Sequence, residues 1–220
     1  MAVKGRISVI LPTSNRYHVV KENIEGILKQ EFPDIEVMLC DDSDLDYYKT
    51  NNADIVAFAK SHKNVKYHYT AMFDKDGNKD YGLARARNNG IIEATGEVLV
   101  FLDDRITPSN PDAFERFYNC VKSHKKTWVF GNKGANKTSF VENFSAILRA
   151  DMVDAGLFNE RINKYGGMTR ELHGRFTRQD FKFLYMPECL ATQVCKSGGW
   201  DRKEKEIPEM RALLNRLFSR

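Results

Sequence analysis

Three short apolar runs in the first half of the chain each stop at a polar cluster, and helix-patterned segments lie between them. Residues 6–11 read RISVIL and give way to PTSN at 12–15. Residues 35–40 read IEVMLC and stop at DDSD, and residues 97–102 read EVLVFL and stop at Asp103, Asp104 and Arg105. Between them Val19, Val20, Ile24, Ile27 and Leu28 recur at helical spacing. Residues 53–61 suit a helix, VKYHY at 65–69 is a further strand, and 81–94 reads as a helix opening near Gly82 and ending at Gly96. Strands alternating with helices predict an α/β chain with a mostly parallel, doubly wound sheet flanked by helices. In such sheets ligands bind beyond the carboxyl ends of the strands, so the three polar clusters are expected to converge on one cleft.

The second half is less regular. It carries helical patterns at 112–123 and around 149–155, strands at 127–131 and 181–187, and a Gly- and Arg-rich passage before the last strand. With 220 residues the chain can bury one sizeable core, so residues 1–200 are expected to form one domain. The three polar clusters put ligand binding in its half at 1–105, with 106–200 as the other half. From 201 to 220 the apolar residues Ile207, Met210, Leu213, Leu214, Leu217 and Phe218 fall on one side among Arg and Lys, predicting an amphipathic C-terminal helix. Packing on its own domain is the leading expectation for it, with contact in a homo-oligomer or an anionic surface as alternatives. No run reaches the ~18 apolar residues of a membrane span, and a strand stands where a signal peptide would lie, so a cytoplasmic protein is expected. The four cysteines have no metal-ligand spacing and read as reduced thiols.

Several blocks, in order, resemble family 2 glycosyltransferases of the GT-A fold. SVILPTSNR at 8–16 is similar to the first strand and its P-T-x-N loop, and ILKQEFPDIEVMLCDDSD at 27–44 to the unit ending in D-D. YGLARARNNGIIEATGEVLVFLDD at 81–104 resembles the G-x-x-x-A-R-N-x-G-I…A-x-G-E…F-L-D signature. MVDAGLFNE at 152–160 is similar to the G-G-F-D-E turn, and YGGMTRELHGRF at 165–176 stands where the family has G-G-E-D-x-E-L-x-x-R. The resemblance implies a nucleotide-sugar donor, in particular a UDP-sugar, and transfer with inversion. It places Pro12, Thr13, Ser14, Asp42, Arg87, Asp103 and Asp104 on that donor, with Asp42 accepting from the base N–H.

Two departures stand inside these blocks. The last Asp of the D-x-D motif, which holds a divalent cation (Mn or Mg) on the diphosphate, is Arg105 here, and the histidine ligand expected after the last strand is absent from CLATQVCKS at 189–197. Two readings follow: a guanidinium from Arg105 that itself clamps the diphosphate without metal, or weak metal binding through Asp104 and the donor phosphates. The carboxylate that takes the acceptor proton is replaced as well, since Met168 and Thr169 occupy the E-D positions. Glu171 is the nearest carboxylate and the candidate base, with an ion pair to a neighbouring arginine as its structural alternative.

The expected activity is therefore sugar transfer to a hydroxyl acceptor: a glycan, a lipid-linked precursor or, given the net charge of +4 and the basic clusters, a modified DNA base. A non-catalytic nucleotide-sugar-binding module is the competing reading. A nucleotidyltransferase is disfavoured by the lack of a Gly-rich, Lys/Arg-bearing loop after the first strand.

Overall fold

The computed structural model describes residues 2–134, 139–162, 164, 166–194, 208, 210 and 212. Strand β1 (Val3–Thr13), helix α1 (Tyr17–Leu28), β2 (Ile35–Asp41), α2 (Leu45–Ser61), β3 (Val65–Tyr69), α3 (Leu83–Glu93) and β4 (Gly96–Leu102) follow one another as the apolar pattern predicts. Strands β1, β2 and β4 are apolar on both pleated faces because helices cover both, the usual condition of a parallel sheet. Ile7, Val9, Leu11, Val37, Leu39, Val98 and Val100 enter one core with Val20, Ile24 and Ile27 of α1. Their neighbours Ile10, Met38, Cys40, Leu99 and Phe101 enter a second core with Ala84, Ala86 and Ile91 of α3.

The second half comprises β5 (Ile106–Pro108), α4 (Ala113–Ser123), β6 (Thr127–Asn132), β7 (Phe144–Leu148), α5 (Arg149–Asp154), α6 (Met168–Arg178) and β8 (Lys182–Gln193). The sheet order is β3-β2-β1-β4-β7-β6-β8-β5. The β1–β2, β1–β4, β2–β3 and β6–β8 pairs are parallel, whereas β7 runs antiparallel between β4 and β6, and β5 antiparallel to β8. The result is a mixed α/β single domain. Trp128 anchors the second core: its ring packs against Phe101, Phe140 and Phe176, and its Nε1–H donates to Ser145 Oγ at 2.9 Å. Buried indole rings of this kind combine large apolar area with one polar group that needs a partner.

Three local expectations change. Helix α2 begins at Leu45, not Ala53, because its first turns are held by contacts that leave no apolar periodicity: Tyr48 stacks on Tyr69 at 3.8 Å and the Tyr47 hydroxyl accepts from the Tyr17 N–H. Strands β5 and β7 are additions to the sequence expectation: both are short, β5 pairing with β8 far along the chain and β7 with the neighbouring β6 and the more distant β4. Helix α6 arises within the Gly- and Arg-rich passage: Gly166 and Gly167 take φ of 92° and 86°, a turn that suits glycine, and launch it. The amphipathic segment expected at 201–220 lies outside the described residues apart from Pro208, Met210 and Ala212, and Met210 is buried in the second core. Cys40 and Cys189 are buried free thiols, and burial pushes Cys40 up to about 12.

Candidate functional site

The loops after β1 and β2 are interlocked. Ser14 Oγ donates to the Asp42 carbonyl at 3.0 Å and the Asn15 N–H to Ser43 Oγ at 2.8 Å. Asn15 sits at φ 57°, a conformation asparagine tolerates better than most residues, and its Oδ1 receives the Asp44 N–H. The two-residue period of β2 then divides the D-D pair. Asp41 shares the face of Val37 and Leu39, where it is fully buried and accepts from the Tyr17 and Tyr67 hydroxyls and the Ser43 N–H. Asp42 emerges on the other face, at a cleft of about 500 Å³ over the carboxyl ends of β1, β2 and β4.

Pro12, Thr13, Ser14, Asp42, Arg87, Asp103, Asp104 and Arg105, the residues expected at a donor site, all line that cleft. Lys79 Nζ reaches Asp42 at 3.1 Å, and Arg85 Nη2 stands 3.7 Å from its Oδ1. Burial raises the Asp42 carboxyl above its ordinary value against the pull of Lys79 and Arg85. Gly82 is what lets the start of α3 approach: a Cβ there would lie 2.2 Å from Asp42 Oδ1.

Asp104 is 3% exposed, accepts from Thr13 Oγ1 at 2.9 Å and shares Arg16 Nη1 between both oxygens at 3.1 Å. Burial raises it too, with Arg16 opposing and Asp103 adding to the rise. Asp103 receives Asn143 Nδ2 at 2.8 Å and lies 3.5 Å from Arg87 Nη2 and from Arg105 Nη2. Three guanidiniums, Arg16, Arg87 and Arg105, therefore surround two carboxylates. Among the described residues no cluster of three His, Cys, Asp or Glu side chains is placed to hold a metal ion. The local donor set, two carboxylates already engaged by arginine, fits a protein-held divalent ion poorly, because hard cations take several free oxygen ligands.

Arg87 is 1% exposed and is held on three sides. Its Nη1 donates to Glu142 Oε1 at 2.7 Å, and its guanidinium lies 5.1 Å over the Phe158 ring. The adjoining Asn88 pins that turn, exchanging hydrogen bonds with the Phe158 backbone at 2.9 and 3.0 Å. Glu142 is 5% exposed, lines the cleft and accepts from the Thr169 hydroxyl. Burial alone would raise its carboxyl, but Arg87 and Thr169 hold it below the ordinary value.

Glu171 is placed differently from the sequence expectation. It is not among the residues lining the cleft. Arg175 Nε donates to it at 2.9 Å, and the same guanidinium donates to the carbonyls of Ala155 and Leu157. The pair thus ties α6 to the turn after α5, and an acidic group in the first turn also complements the helix dipole. The ion pair held as the structural alternative for Glu171 is the arrangement found. Cleft residues to which sequence reading gave no role include Arg16, Lys79, Glu142 and Asn143, and Thr169 was noted only as standing in place of a carboxylate. Arg16 and Thr169 stand inside the quoted blocks, so their position beside loop residues was the available signal; Glu142 had none.

Among known proteins, the sequence profile of glycosyl transferase family 2 matches residues 8–191. A GalNAc(5)-diNAcBac-PP-undecaprenol beta-1,3-glucosyltransferase of Campylobacter jejuni is 26% identical over 71% of this chain and 56% of its own. An Escherichia coli UDP-Glc:alpha-D-GlcNAc-diphosphoundecaprenol beta-1,3-glucosyltransferase is 28% identical over 64% of this chain and 51% of its own. The chain thus spans about half the length of these relatives. A solved Pyrobaculum calidifontis mannosyltransferase, in complex with GDP-Man and Mn2+, superposes with a TM-score of 0.73 at 17% identity, covering 97% of this chain and 65% of that one. At that identity the likeness carries the fold alone. Among the described residues no helix is long and apolar enough to cross a membrane.

Proposed function

The chain belongs to glycosyl transferase family 2, and on that premise we propose that it transfers a sugar from a nucleotide-sugar, a UDP-sugar in this reading, to an acceptor hydroxyl with inversion. The observation that carries the reading is the convergence of Thr13, Asp42, Asp103 and Asp104, from the ends of three adjacent strands, on one cleft. Asp42, beside Lys79, is assigned to the base, and Pro12, Thr13 and Ser14 to the wall along the nucleoside.

The leaving nucleoside diphosphate gains negative charge as the glycosidic bond breaks, and that charge must be met by fixed cationic or hydrogen-bonding groups. Arg105, with Arg16 and Arg87 beside it, is assigned to this task, since a guanidinium fork matches phosphate oxygens bidentately. Its Nε is buried without a hydrogen-bond partner, as is Nε of Arg87. Such groups are costly unless something accepts from them, and a diphosphate oxygen would. Asp103 and Asp104 keep the three guanidiniums in place until the donor competes for them. Under this reading Asp104 is a scaffold for Arg16 and not chiefly a metal ligand.

For the acceptor, both curated relatives bear names that specify undecaprenyl-diphosphate-linked glycans, which supports a lipid-linked glycan over a DNA base. The test is release of UDP from a panel of UDP-sugars with a GlcNAc-diphospho-lipid acceptor, with and without chelator. Turnover that persists in chelator supports arginine-based transfer. Turnover that stops in chelator overturns the metal-free part and keeps the transferase, while donor binding without release in any condition leaves the binding module.

A further inference from the structure

Resting on the transferase reading above, we propose that Thr169 and Glu142 form a proton relay: the Thr169 hydroxyl receives the acceptor's proton while passing its own to Glu142. Four observations carry this. Thr169 is half-buried at the start of α6, on the cleft wall, and its hydroxyl already donates to Glu142 Oε2. Glu142 is the remaining carboxylate of the wall once Asp42 is set beside Lys79 and Asp103 and Asp104 among the arginines. Its backbone is fixed from below, since its carbonyl accepts from Ser145 Oγ at 2.6 Å and that oxygen accepts from the Trp128 indole. Arg87 supplies the charge that keeps it ionised in a buried place.

The hydrogen bonds already made by Glu142 supply the path for the proton. A buried carboxylate has about four lone-pair positions, and Glu142 has committed one oxygen to Arg87 and the other to Thr169, which leaves it able to take a proton along the existing Thr169 bond. Both side chains line the cleft, and the threonine is the more exposed of the two. The twin left-handed glycines, Gly166 and Gly167, set the first turn of α6 against the cleft and so place Thr169 there.

The step balances. The acceptor oxygen donates an electron pair to the anomeric carbon as its proton moves to Thr169 Oγ1, and the proton of Thr169 moves to Glu142 Oε2. The bond from the anomeric carbon to the diphosphate oxygen breaks, and its pair leaves with the nucleoside diphosphate. Glu142 ends as a carboxylic acid and returns its proton through Thr169 to solvent after the product departs.

The experiment measures UDP release with a UDP-sugar and a GlcNAc-diphospho-lipid acceptor, alongside donor affinity, for wild type, Glu142→Gln, Thr169→Val, Thr169→Ser and Glu171→Gln. General-base removal commonly lowers turnover by about 10²-fold or more, so Glu142→Gln and Thr169→Val are expected to lose about that much kcat while donor Kd stays within about twofold. Thr169→Ser keeps a hydroxyl and is expected to restore most of the rate. Wild-type kcat in Thr169→Val, or equal losses in the Val and Ser variants, overturns the relay. Loss confined to Glu171→Gln overturns it in favour of that carboxylate. Should Glu142→Gln fail to fold, the Val and Ser pair at Thr169 decides alone. Donor binding by the wild type without any release removes the transferase reading, and the relay with it.

Discussion

At the amino ends of β1, β2 and β4 the Glu36 carboxylate accepts from Ser8 Oγ, the Thr95 N–H and Oγ1 and the Gly96 N–H, at 2.6, 2.6, 2.9 and 3.2 Å, with Lys66 Nζ at 3.0 Å. At the carboxyl ends of the same strands Asp42 and Asp104 are just as buried, but their surroundings are unfinished. Asp42 Oδ1, Arg85 Nη2, Arg87 Nε and Arg105 Nε are buried there without hydrogen-bond partners. Burial pushes all three carboxyls up. At Glu36 the Ser8 and Thr95 donors and Lys66 overturn that and bring it to about 2, whereas Asp42 and Asp104 stay raised. A closed network serves only the fold. An open one leaves unpaired donors on Arg87 and Arg105, which line the cleft, and a binding site for an anion requires such donors.

The largest test of this contrast is Arg87→Ala. It leaves Glu142 as a buried carboxylate without its cation, and breaking such a pair costs about 3–5 kcal/mol. Urea unfolding should show the loss, and an unchanged midpoint would mean that the cleft end does not depend on its arginines. Next in size is Arg105→Ala, expected to slow UDP release about 10²-fold or more, the usual effect of removing one oriented charge-stabilising donor. Stability should change little, since Arg105 holds its carboxylates only at 3.5 and 3.8 Å. An Arg105→Ala variant that is clearly destabilised yet turns over at the wild-type rate would make Arg105 a structural group and not part of the site.

Glu36→Gln belongs to the closed end and should cost about 2–3 kcal/mol at neutral pH with no direct effect on donor affinity. Because the folded carboxyl is depressed, its stabilisation is present above the unfolded value near 4.5 and is lost as pH falls toward about 2. Melting curves of wild type and variant should converge over that window. The sign reverses at Asp42 and Asp104: their raised carboxyls oppose folding once pH rises above the unfolded carboxylate range. Asp42→Asn is accordingly the smallest change, leaving stability level or slightly higher while weakening nucleotide binding about tenfold, roughly 1.4 kcal/mol. Calorimetric titration with UDP checks it.

Much of the fold was legible because it depends on neighbours in sequence. Apolar runs, helical spacing and the polar residues that end each strand are local, and they place Asp42, Asp103, Asp104 and Arg105 beyond the sheet. The parity of β2 also contained the division of Asp41 from Asp42, since alternate residues of a strand face opposite sides. The misread segments lacked that kind of local signal. Strands β5 and β7 are short, β5 finds β8 and β7 finds β4 across long stretches of chain, and α6 needed two left-handed glycines to begin.

For the site, the chain itself determined which residue types stand at which strand ends, and so that a cleft rich in carboxylates and arginines would form there. Which carboxylate meets which cation was decided only by the tertiary structure. Arg87 meets Glu142 across 55 residues and Thr169 meets Glu142 across 27. Glu171, with the right spacing in sequence, is taken by Arg175 one helical turn away. A carboxylate responds to the nearest charge and to its burial, and neither quantity is written in the order of residues until the chain has packed.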